Sequence, residues 1–390
     1  MRTALAAVAI VLGALCVLSC GSLKPVTALA ASPQEGRHIE REFRISSGKR
    51  LEIDLKTGGS LNIAGWDNEQ VRVDAYLGGR DGEDARVDFK ENADGVEIYS
   101  HFDEMRNNHS SDLKFEIKVP RKFDLDIDTM GGAVKIDAVE GQINGKTMGG
   151  ALNLSNLRGS LHLSTMGGGI TLVNSDVDGS VSTMGGKVLI QDVVGNIKGS
   201  SMGGQVSYKN VTKRDGSSTG DEVRITTMGG EINVDAAPAG ANVMTMGGDI
   251  TIASAQKFVK AKTMGGNIKI GAVDGAVTAT TMGGNVNVKV TGEGNGGNAD
   301  VLLTSNGGDI ELIVPAGLSM DFDIELAYTR KHQGDYKIVS DFGIQQRESD
   351  DWDTTHGSAR KVIYGTGSVA GGRNKIRIRT INGNVFVRRG

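Results

Sequence analysis

The chain has 390 residues, of which 57 are glycine, only 5 are proline and 4% are aromatic. Collagen is excluded because glycine has no period of three and proline is scarce, and disorder is excluded because Val, Ile and Leu alternate regularly with polar residues. The formal net charge of −4 is small and both signs are interspersed, so the composition gives no argument for nucleic-acid binding.

The N-terminus has the pattern of an exported lipoprotein. Arg2 precedes an uncharged apolar run from Ala4 to Leu18, which is shorter than the ~20 residues of a membrane span. The run leads into Ser19-Cys20-Gly21, which resembles the bacterial lipobox, where a cysteine is lipidated and becomes the mature N-terminus. We predict a signal peptide at residues 1–19 and lipid on Cys20. The alternative is an ordinary secretory signal cut elsewhere.

The segment after the predicted signal has the composition of a tether. Residues 20–36 are small and polar and include Pro25 and Pro33, which predicts a flexible link to the membrane. Gly21 is not the aspartate that retains enteric lipoproteins at the inner membrane, so we expect the outer membrane, on its periplasmic or surface face. Because Cys16 and Cys20 are the only cysteines, the mature chain has no disulfide and no thiolate metal site.

A repeat of eighteen residues follows, between two less regular regions. Methionine recurs at this spacing, apart from one step of twenty-six, and each copy is followed by Gly-Gly and nearly always preceded by Thr. An internal period of this size predicts a solenoid. We therefore expect an N-terminal β region and cap at 37–128, a regular solenoid at 129–308, and a C-terminal β region and cap at 309–390. The methionines are Met130, Met148, Met166, Met184, Met202, Met228, Met246, Met264 and Met282.

Each repeat predicts two short strands. Apolar residues alternate in Leu152-Asn153-Leu154 and again in Leu161-His162-Leu163, which is the period of half-buried strands. The fold class is therefore all-β, a single-chain β-solenoid of the parallel β-helix or β-roll type. The extra residues at 212–221 and 291–298 fall in the turn opposite the methionine, where we expect outward loops.

The Thr-Met-Gly-Gly segment is predicted to be a tightly packed structural corner. Thr165 continues the inward parity of the strand before it, whereas Ile170 has the opposite parity. Glycine permits the bulge or positive φ that such a slip needs, so Gly→Val at 167 or 168 is expected to break a rung. The corner residues singled out in the first four repeats are Met130, Gly131, Gly132, Met148, Gly149, Gly150, Met166, Gly167, Gly168, Met184, Gly185 and Gly186.

The stacked methionines allow three interpretations. We favour methionine as an adaptable filler of the core at the corner. The alternatives are a Cu(I)-binding ladder of thioethers and an oxidation sink. Repeat-wide calcium binding is unsupported, because the residue after Gly-Gly varies where calcium-binding β-rolls place an aspartate.

No group of residues has the pattern of a catalytic or cofactor site. Two clusters, His101 to Glu104 with His109 and Asp350 to Asp353 with His356, could each hold a cation or a sugar, but we interpret them as solvated loops. No nucleophile, base and orienting residue can be identified, and no phosphate-binding loop is present. We predict no enzyme activity, no metal and no cofactor.

Several segments resemble one bacterial family. Gly59-Ser60-Leu61-Asn62-Ile63-Ala64-Gly65-Trp66-Asp67, the run from Leu113 to Pro120 and the run from Ile376 to Val385 resemble the β-strand-repeat family of candidate adhesins, a domain-of-unknown-function group. The resemblance covers nearly the whole mature chain. It implies a cell-envelope protein, in some relatives linked to envelope-stress systems, without established catalysis.

The sequence thus favours a non-enzymatic, lipid-anchored envelope protein that serves adhesion or scaffolding through a long solenoid face. Its expected partners are the membrane, through the lipid, and an unidentified envelope glycan or protein. One alternative is a self-associating or stress-linked structural protein, including a homo-oligomer of stacked coils. Another is a polysaccharide-active β-helix enzyme, which would need Asp, Arg or Lys aligned on neighbouring rungs in a groove.

Overall fold

The computed structural model describes residues 36–103, 111–212, 222–292, 299–355 and 358–390. Residues 36–390 form one compact unit. In its described part the regular elements are thirty strands and one turn of 3₁₀ helix, Arg330–His332, and this confirms the predicted all-β class. No helix among these residues has the length and apolar character needed to cross a membrane.

The strands fall into three groups along the chain. The N-terminal strands are β1(Arg37–Phe43), β2(Arg50–Leu55), β3(Ser60–Trp66), β4(Val71–Gly79), β5(Ala85–Asn92), β6(Gly95–Phe102) and β7(Ser111–Pro120). The repeat strands are β8(Asp124–Thr129), β9(Val134–Asp137), β10(Glu140–Thr147), β11(Leu152–Ser155), β12(Arg158–Thr165), β13(Ile170–Thr183), β14(Val188–Val194), β15(Ile197–Ser201), β16(Val206–Thr212), β17(Val223–Thr226), β18(Ile232–Ala237), β19(Ala241–Met244), β20(Ile250–Lys262), β21(Ile268–Thr281), β22(Val286–Val290), β23(Val301–Ser305) and β24(Ile310–Val314). The C-terminal strands are β25(Met320–Thr329), β26(Ile338–Ser340), β27(Gln345–Glu348), β28(Arg360–Val369), β29(Asn374–Ile381) and β30(Val385–Arg389).

Each repeat is one coil with a strand on either side of the Thr-Met-Gly-Gly corner. We name the strands that lead into the corners the A row and those that leave them the B row. Successive A-row strands pair in parallel with a shift of one repeat, as in Thr147 opposite Thr165. The B row pairs in the same way, as in Val134 opposite Leu152. The solenoid predicted from the period is confirmed.

The hydrophobic core lies between the two rows. In β12 the side chains of Leu161, Leu163 and Thr165 are buried, and in β13 those of Ile170 and Leu172 are buried. The residues between them point outward, as the two-residue period of a strand requires. The thin interior suits aliphatic side chains, each of which contributes about 1.5–3 kcal/mol when fully buried.

Among the described strands of the repeat, β8 to β24, Tyr208 is the one buried aromatic side chain. Its B-row side chain is 3% exposed, and its hydroxyl accepts a hydrogen bond from the A-row nitrogen of Gly199 at 2.5 Å and donates one to the oxygen of Ile197 at 3.1 Å. A Cβ at position 199 would lie 3.2 Å from that hydroxyl, so glycine there leaves room for the ring. Burial raises the pKa of Tyr208 above its ordinary value.

The N-terminal end stacks its coils out of sequence order. Strand β2 lies between β6 and β8, and β3 lies between β7 and β9, all in parallel. Beyond them, β4 pairs antiparallel with both β7 and β1, and β5 pairs antiparallel with β6. The antiparallel strands end the stack. The outermost strand is β1, which carries charged residues at most positions. These charges discourage pairing with another chain.

The C-terminal end repeats this arrangement. Strand β29 lies between β23 and β25, and β30 lies between β24 and β26. The last residues of the chain therefore form an internal coil, with Ser305 opposite Thr380 and Ile310 opposite Val385. Strands β28 and β27 then add antiparallel pairs outside β25. Ser305 to Gly308 and Thr380 to Gly383 are therefore corners of stacked coils. Antiparallel strands close one row of this end, and the other row ends on β26.

Candidate functional site: the methionine ladder

The corner threonine points inward, and from Thr165 onward the threonine or serine at this position links two coils. The Thr165 hydroxyl accepts a hydrogen bond from the nitrogen of Gly168 at 3.2 Å and donates one to the oxygen of Gly150, in the preceding coil, at 2.8 Å. The donor bond to the preceding coil recurs along the solenoid at 2.8–3.2 Å. A hydroxyl is therefore required at this position. The further residues that make it are Thr183, Ser201, Thr227, Thr245, Thr263, Thr281, Ser305 and Thr380.

The second glycine of each corner packs against the coil before it. A Cβ at Gly168 would lie 2.1 Å from the oxygen of Gly150, and one at Gly186 would lie 2.0 Å from the oxygen of Gly168. No side chain fits at that distance. The first glycine differs, since a Cβ at Gly149 would meet nothing within 4 Å and one at Gly167 would only reach ordinary contact at 3.5 Å.

The predicted reason for Gly-Gly is therefore wrong in part. Positive φ occurs at the corner glycine Gly132 (92°) but not at Gly150, Gly168 or Gly186. The left-handed residues recur instead in the opposite turn, where asparagine and aspartate tolerate them; they are Ala138, Asn156, Asn174, Asp192 and Asn210. At the corner, glycine serves close approach of the backbones, and only its second copy does so.

The interpretation of methionine as a core filler is also wrong. The side chains of the nine repeat methionines are between 43% and 53% exposed. Because each corner threonine points inward, the next residue along the strand points outward. Methionine therefore lies on the surface, one position after the buried threonine. We name the row Met130, Met148, Met166, Met184, Met202, Met228, Met246, Met264 and Met282 the methionine ladder.

The methionine ladder is unbroken despite the longer repeat. The nitrogen of Met228 donates a hydrogen bond to the oxygen of Met202 at 2.9 Å across the twenty-six-residue step. Met246 and Met264 continue the ladder with bonds of 3.1 Å to the methionine before each. Neighbouring coils of paired strands lie about 4.8 Å apart, so nine rungs span about 38 Å. The inserted residues 213–221 and 293–298, predicted to form outward loops, lie outside the described residues.

The centre of the ladder borders a shallow groove with small neutral residues. The groove has a volume of about 490 Å³, and its lining includes the five methionines from Met148 to Met228. Two residues before Met166, Met184 and Met202 the chain has Ser164, Ser182 and Ser200, each beside the groove. Large hydrophobic side chains in a continuous exposed row mark interaction sites more often than ordinary surface.

The turn opposite the ladder forms a second groove, lined by charged and amide side chains. Glu140, Arg158 and Asp176 occupy one position in three successive coils. Glu140 lies 3.8 Å from Lys122, and Arg158 lies 4.0 Å from Asp176, so these charges alternate in sign and pair. We name this surface the charged groove. Charged residues do align on neighbouring rungs, as a polysaccharide-active enzyme would need.

The carboxylates beside the charged groove act as hydrogen-bond acceptors. The Ser155 hydroxyl, at 2.6 Å, and then Asn156 hold the pKa of Asp137 below its usual range. Asn210, at 2.7 Å, and then Gln191 lower the pKa of Asp192 in the same way. A general acid needs the opposite shift, towards neutral pH. These groups stabilise the turn, and in the described chain no nucleophile and base come together there.

Only part of each of the two histidine clusters lies within the described residues. His101 lies 3.7 Å from Asp88 and 4.0 Å from Asp103, while Glu104, His109 and His356 lie outside the described residues. Among the described residues, no three His, Cys, Asp or Glu side chains converge as a metal site. Cys20, the predicted lipidation site, also lies outside them.

A family model described as Toastrack DUF4097 matches residues 48–388 of the chain. The match runs from the out-of-order N-terminal coil through the repeat to the internal C-terminal coil. The chain belongs to the Toastrack family. This agrees with the family resemblance inferred from the strand motifs. No curated protein matches this Toastrack chain.

Solved structures similar to this Toastrack protein include three from Parabacteroides and Bacteroides species. A candidate adhesin from Parabacteroides merdae is 15% identical, with a TM-score of 0.36, over 64% of this chain and 95% of its own. A candidate adhesin from Bacteroides fragilis is 10% identical, with a TM-score of 0.24, over 90% and 97%. A candidate lipid-binding protein from Parabacteroides distasonis is 10% identical, with a TM-score of 0.27, over the same shares.

Proposed function

We propose that this Toastrack protein is a non-enzymatic adhesin or scaffold of the bacterial envelope, anchored by lipid on Cys20 at the outer membrane. The observation that carries the proposal is the methionine ladder, a continuous apolar row about 38 Å long, whereas the other exposed large hydrophobic side chains of the described chain are scattered. Methionine adapts its shape to a partner, which is why it recurs at binding surfaces.

The proposed partner is a protein of the envelope rather than a glycan. Sugars are held by converging polar groups, whereas the ladder offers thioethers flanked by small hydroxyls such as Ser164 and Ser182. A half-exposed apolar row is buried best against apolar side chains of another protein. The names of the solved relatives, candidate adhesins among them, are in keeping with a binding role.

End-to-end stacking into filaments is not favoured as the main role. Antiparallel strands close the N-terminal end of the described solenoid and one row of its C-terminal end, and the other row there ends on the three-residue strand β26. The outer strand β27, with the sequence QQRE, is exposed throughout and partly charged. Such edges resist the addition of another strand.

The proposal predicts a face-specific loss of binding. The full chain, purified in detergent, should bind isolated envelopes saturably, and protease treatment of the envelopes should abolish binding. Replacing Met166, Met184 and Met202 by glutamate should weaken binding at least about tenfold, because three charges would be buried in the interface.

The matched control places the same charges on the B row. Asn153, Asn233 and Asn287 point outward there, and their replacement by glutamate should leave binding unchanged. Equal losses in both variants would contradict a role for the ladder. Binding that survives protease treatment would contradict a protein partner. Protease shaving of intact cells then assigns the side of the membrane.

A further inference from the structure

The repeat keeps threonine, methionine and glycine at fixed positions. The structure explains the threonine and the second glycine, but not the methionine. The threonine is fixed by its two hydrogen bonds, and the second glycine by the backbone 1.6–2.1 Å from where its Cβ would be. The methionine has no such constraint, since its side chain is about half exposed in every rung. Packing alone would accept leucine or a polar residue there.

The position directly after Gly-Gly, in contrast, varies in size and charge from coil to coil. The residue directly after Gly-Gly is Ala133, Ala151, Gly169, Lys187, Gln205, Glu231, Asp249, Asn267 and Asn285 in the same nine coils. In the nine coils with Met-Gly-Gly no leucine or isoleucine replaces methionine, whereas the stacked coils outside them have Lys56, Asn306 and Ile381 at this position. The uniform methionine of the nine coils points to the thioether itself. Its distinctive property beside aliphatic side chains is a soft sulfur donor.

The spacing of the rungs suits a cation shared between two sulfurs. Stacked coils lie about 4.8 Å apart, and two metal–sulfur bonds of about 2.3 Å, the length known for zinc thiolate, would span about 4.6 Å. Methionine has three rotatable side-chain bonds with which to close the small difference. A first glycine beside each methionine, with open space at Gly149, leaves that side of the ladder uncovered.

We propose that the methionine ladder binds soft monovalent cations, Cu(I) and Ag(I), each held between thioethers of adjacent coils. The central rungs Met166, Met184 and Met202 are the best placed, because Ser164, Ser182 and Ser200 next to them carry no charge that would repel a cation. Nine thioethers shared two to an ion give a capacity of about four ions per chain. Zinc, calcium and magnesium, which prefer nitrogen, thiolate or oxygen ligands, are not expected to bind the ladder.

The test is a titration of the full chain, labelled with ¹³C at the methionine methyl groups, with silver nitrate in chloride-free buffer. The ladder methyl signals should shift together and saturate. Met320, which is fully buried in the core, should not respond. Cys16 and Cys20 are alkylated beforehand, because free thiols would take up silver before the thioethers do.

Leucine variants separate sulfur chemistry from apolar contact. Replacing Met166, Met184 and Met202 by leucine should lower the silver capacity from about four ions to about three. Adjacent thioethers then remain only at Met130 and Met148 and along Met228 to Met282. The control is Met320→Leu, which removes a fully buried thioether outside the ladder and should keep the full capacity. The absence of a saturable shift, or full capacity in the triple variant, would overturn the proposal. The same triple variant keeps an apolar surface and so should still bind envelopes, which distinguishes this proposal from the adhesin role.

Discussion

Replacing Gly168 by alanine is expected to destabilise the protein by about 3 kcal/mol, at the upper end of the cost of overpacking. The new Cβ would lie 2.1 Å from the oxygen and 2.3 Å from the carbonyl carbon of Gly150. Both are backbone atoms of the preceding coil, so the coils must separate locally. Denaturant unfolding followed by circular dichroism measures the loss, and hydrogen exchange should place it at the neighbouring rungs.

The adjacent glycine provides the control. A Cβ at Gly167 would reach only 3.5 Å from the oxygen of Gly149, so Gly167→Ala should change the free energy of unfolding by less than about 1 kcal/mol. In the last coil Asn382 takes the place of the first glycine, whereas Gly383 keeps the place of the second, 2.1 Å from the oxygen of Gly308. Equal effects at 167 and 168 would refute the assignment of close approach to the second glycine alone.

Replacing Thr281 by valine is expected to cost about 2 to 4 kcal/mol, although valine has nearly the same shape. The Thr281 hydroxyl donates to the oxygen of Gly266 at 2.9 Å and accepts from the nitrogen of Gly284 at 3.1 Å, and all three residues are buried. Valine would leave both backbone groups without this partner. Loss of stability is measured by the same denaturant unfolding.

Serine at position 281 should restore most of that stability. Ser201 and Ser305 already fill the corresponding places, donating to the oxygens of Gly186 and Gly284 at 2.8 Å. Thr281→Ser is therefore expected to lie within about 1 kcal/mol of the parent protein. If serine were as damaging as valine, the hydroxyl alone would not restore stability, and the account of the corner hydrogen bonds would be contradicted.

The repeat made the middle of the fold predictable, because its period fixed both the coil length and the inward positions. Ile170 and Leu172 are buried as the alternation indicated. The order in which the strands stack at the two ends could not be predicted from the sequence. A parallel strand such as β29 can pair on either side with any coil of matching pattern, and nothing local in the sequence favours a place between β23 and β25.

The exposure of the methionine ladder could be predicted from the sequence, although the core-filler interpretation placed the methionines inside. Assigning Thr165 an inward position already placed Met166 outward by the two-residue period of a strand. The hydrophobic character of methionine was given more weight than this parity. The charged groove, in contrast, depends on Glu140, Arg158 and Asp176 stacking in register, which becomes clear only when the coils are aligned.

Oxidation footprinting tests the exposed methionine ladder most directly. The native protein is treated briefly with dilute hydrogen peroxide, and sulfoxide at each methionine is quantified by mass spectrometry. The account predicts that all nine methionines from Met130 to Met282 oxidise at similar rates, while Met320, with no exposed surface, stays protected until the protein unfolds. Ladder methionines as protected as Met320 would mean that they lie in the core, and would contradict both the binding surface and the cation site.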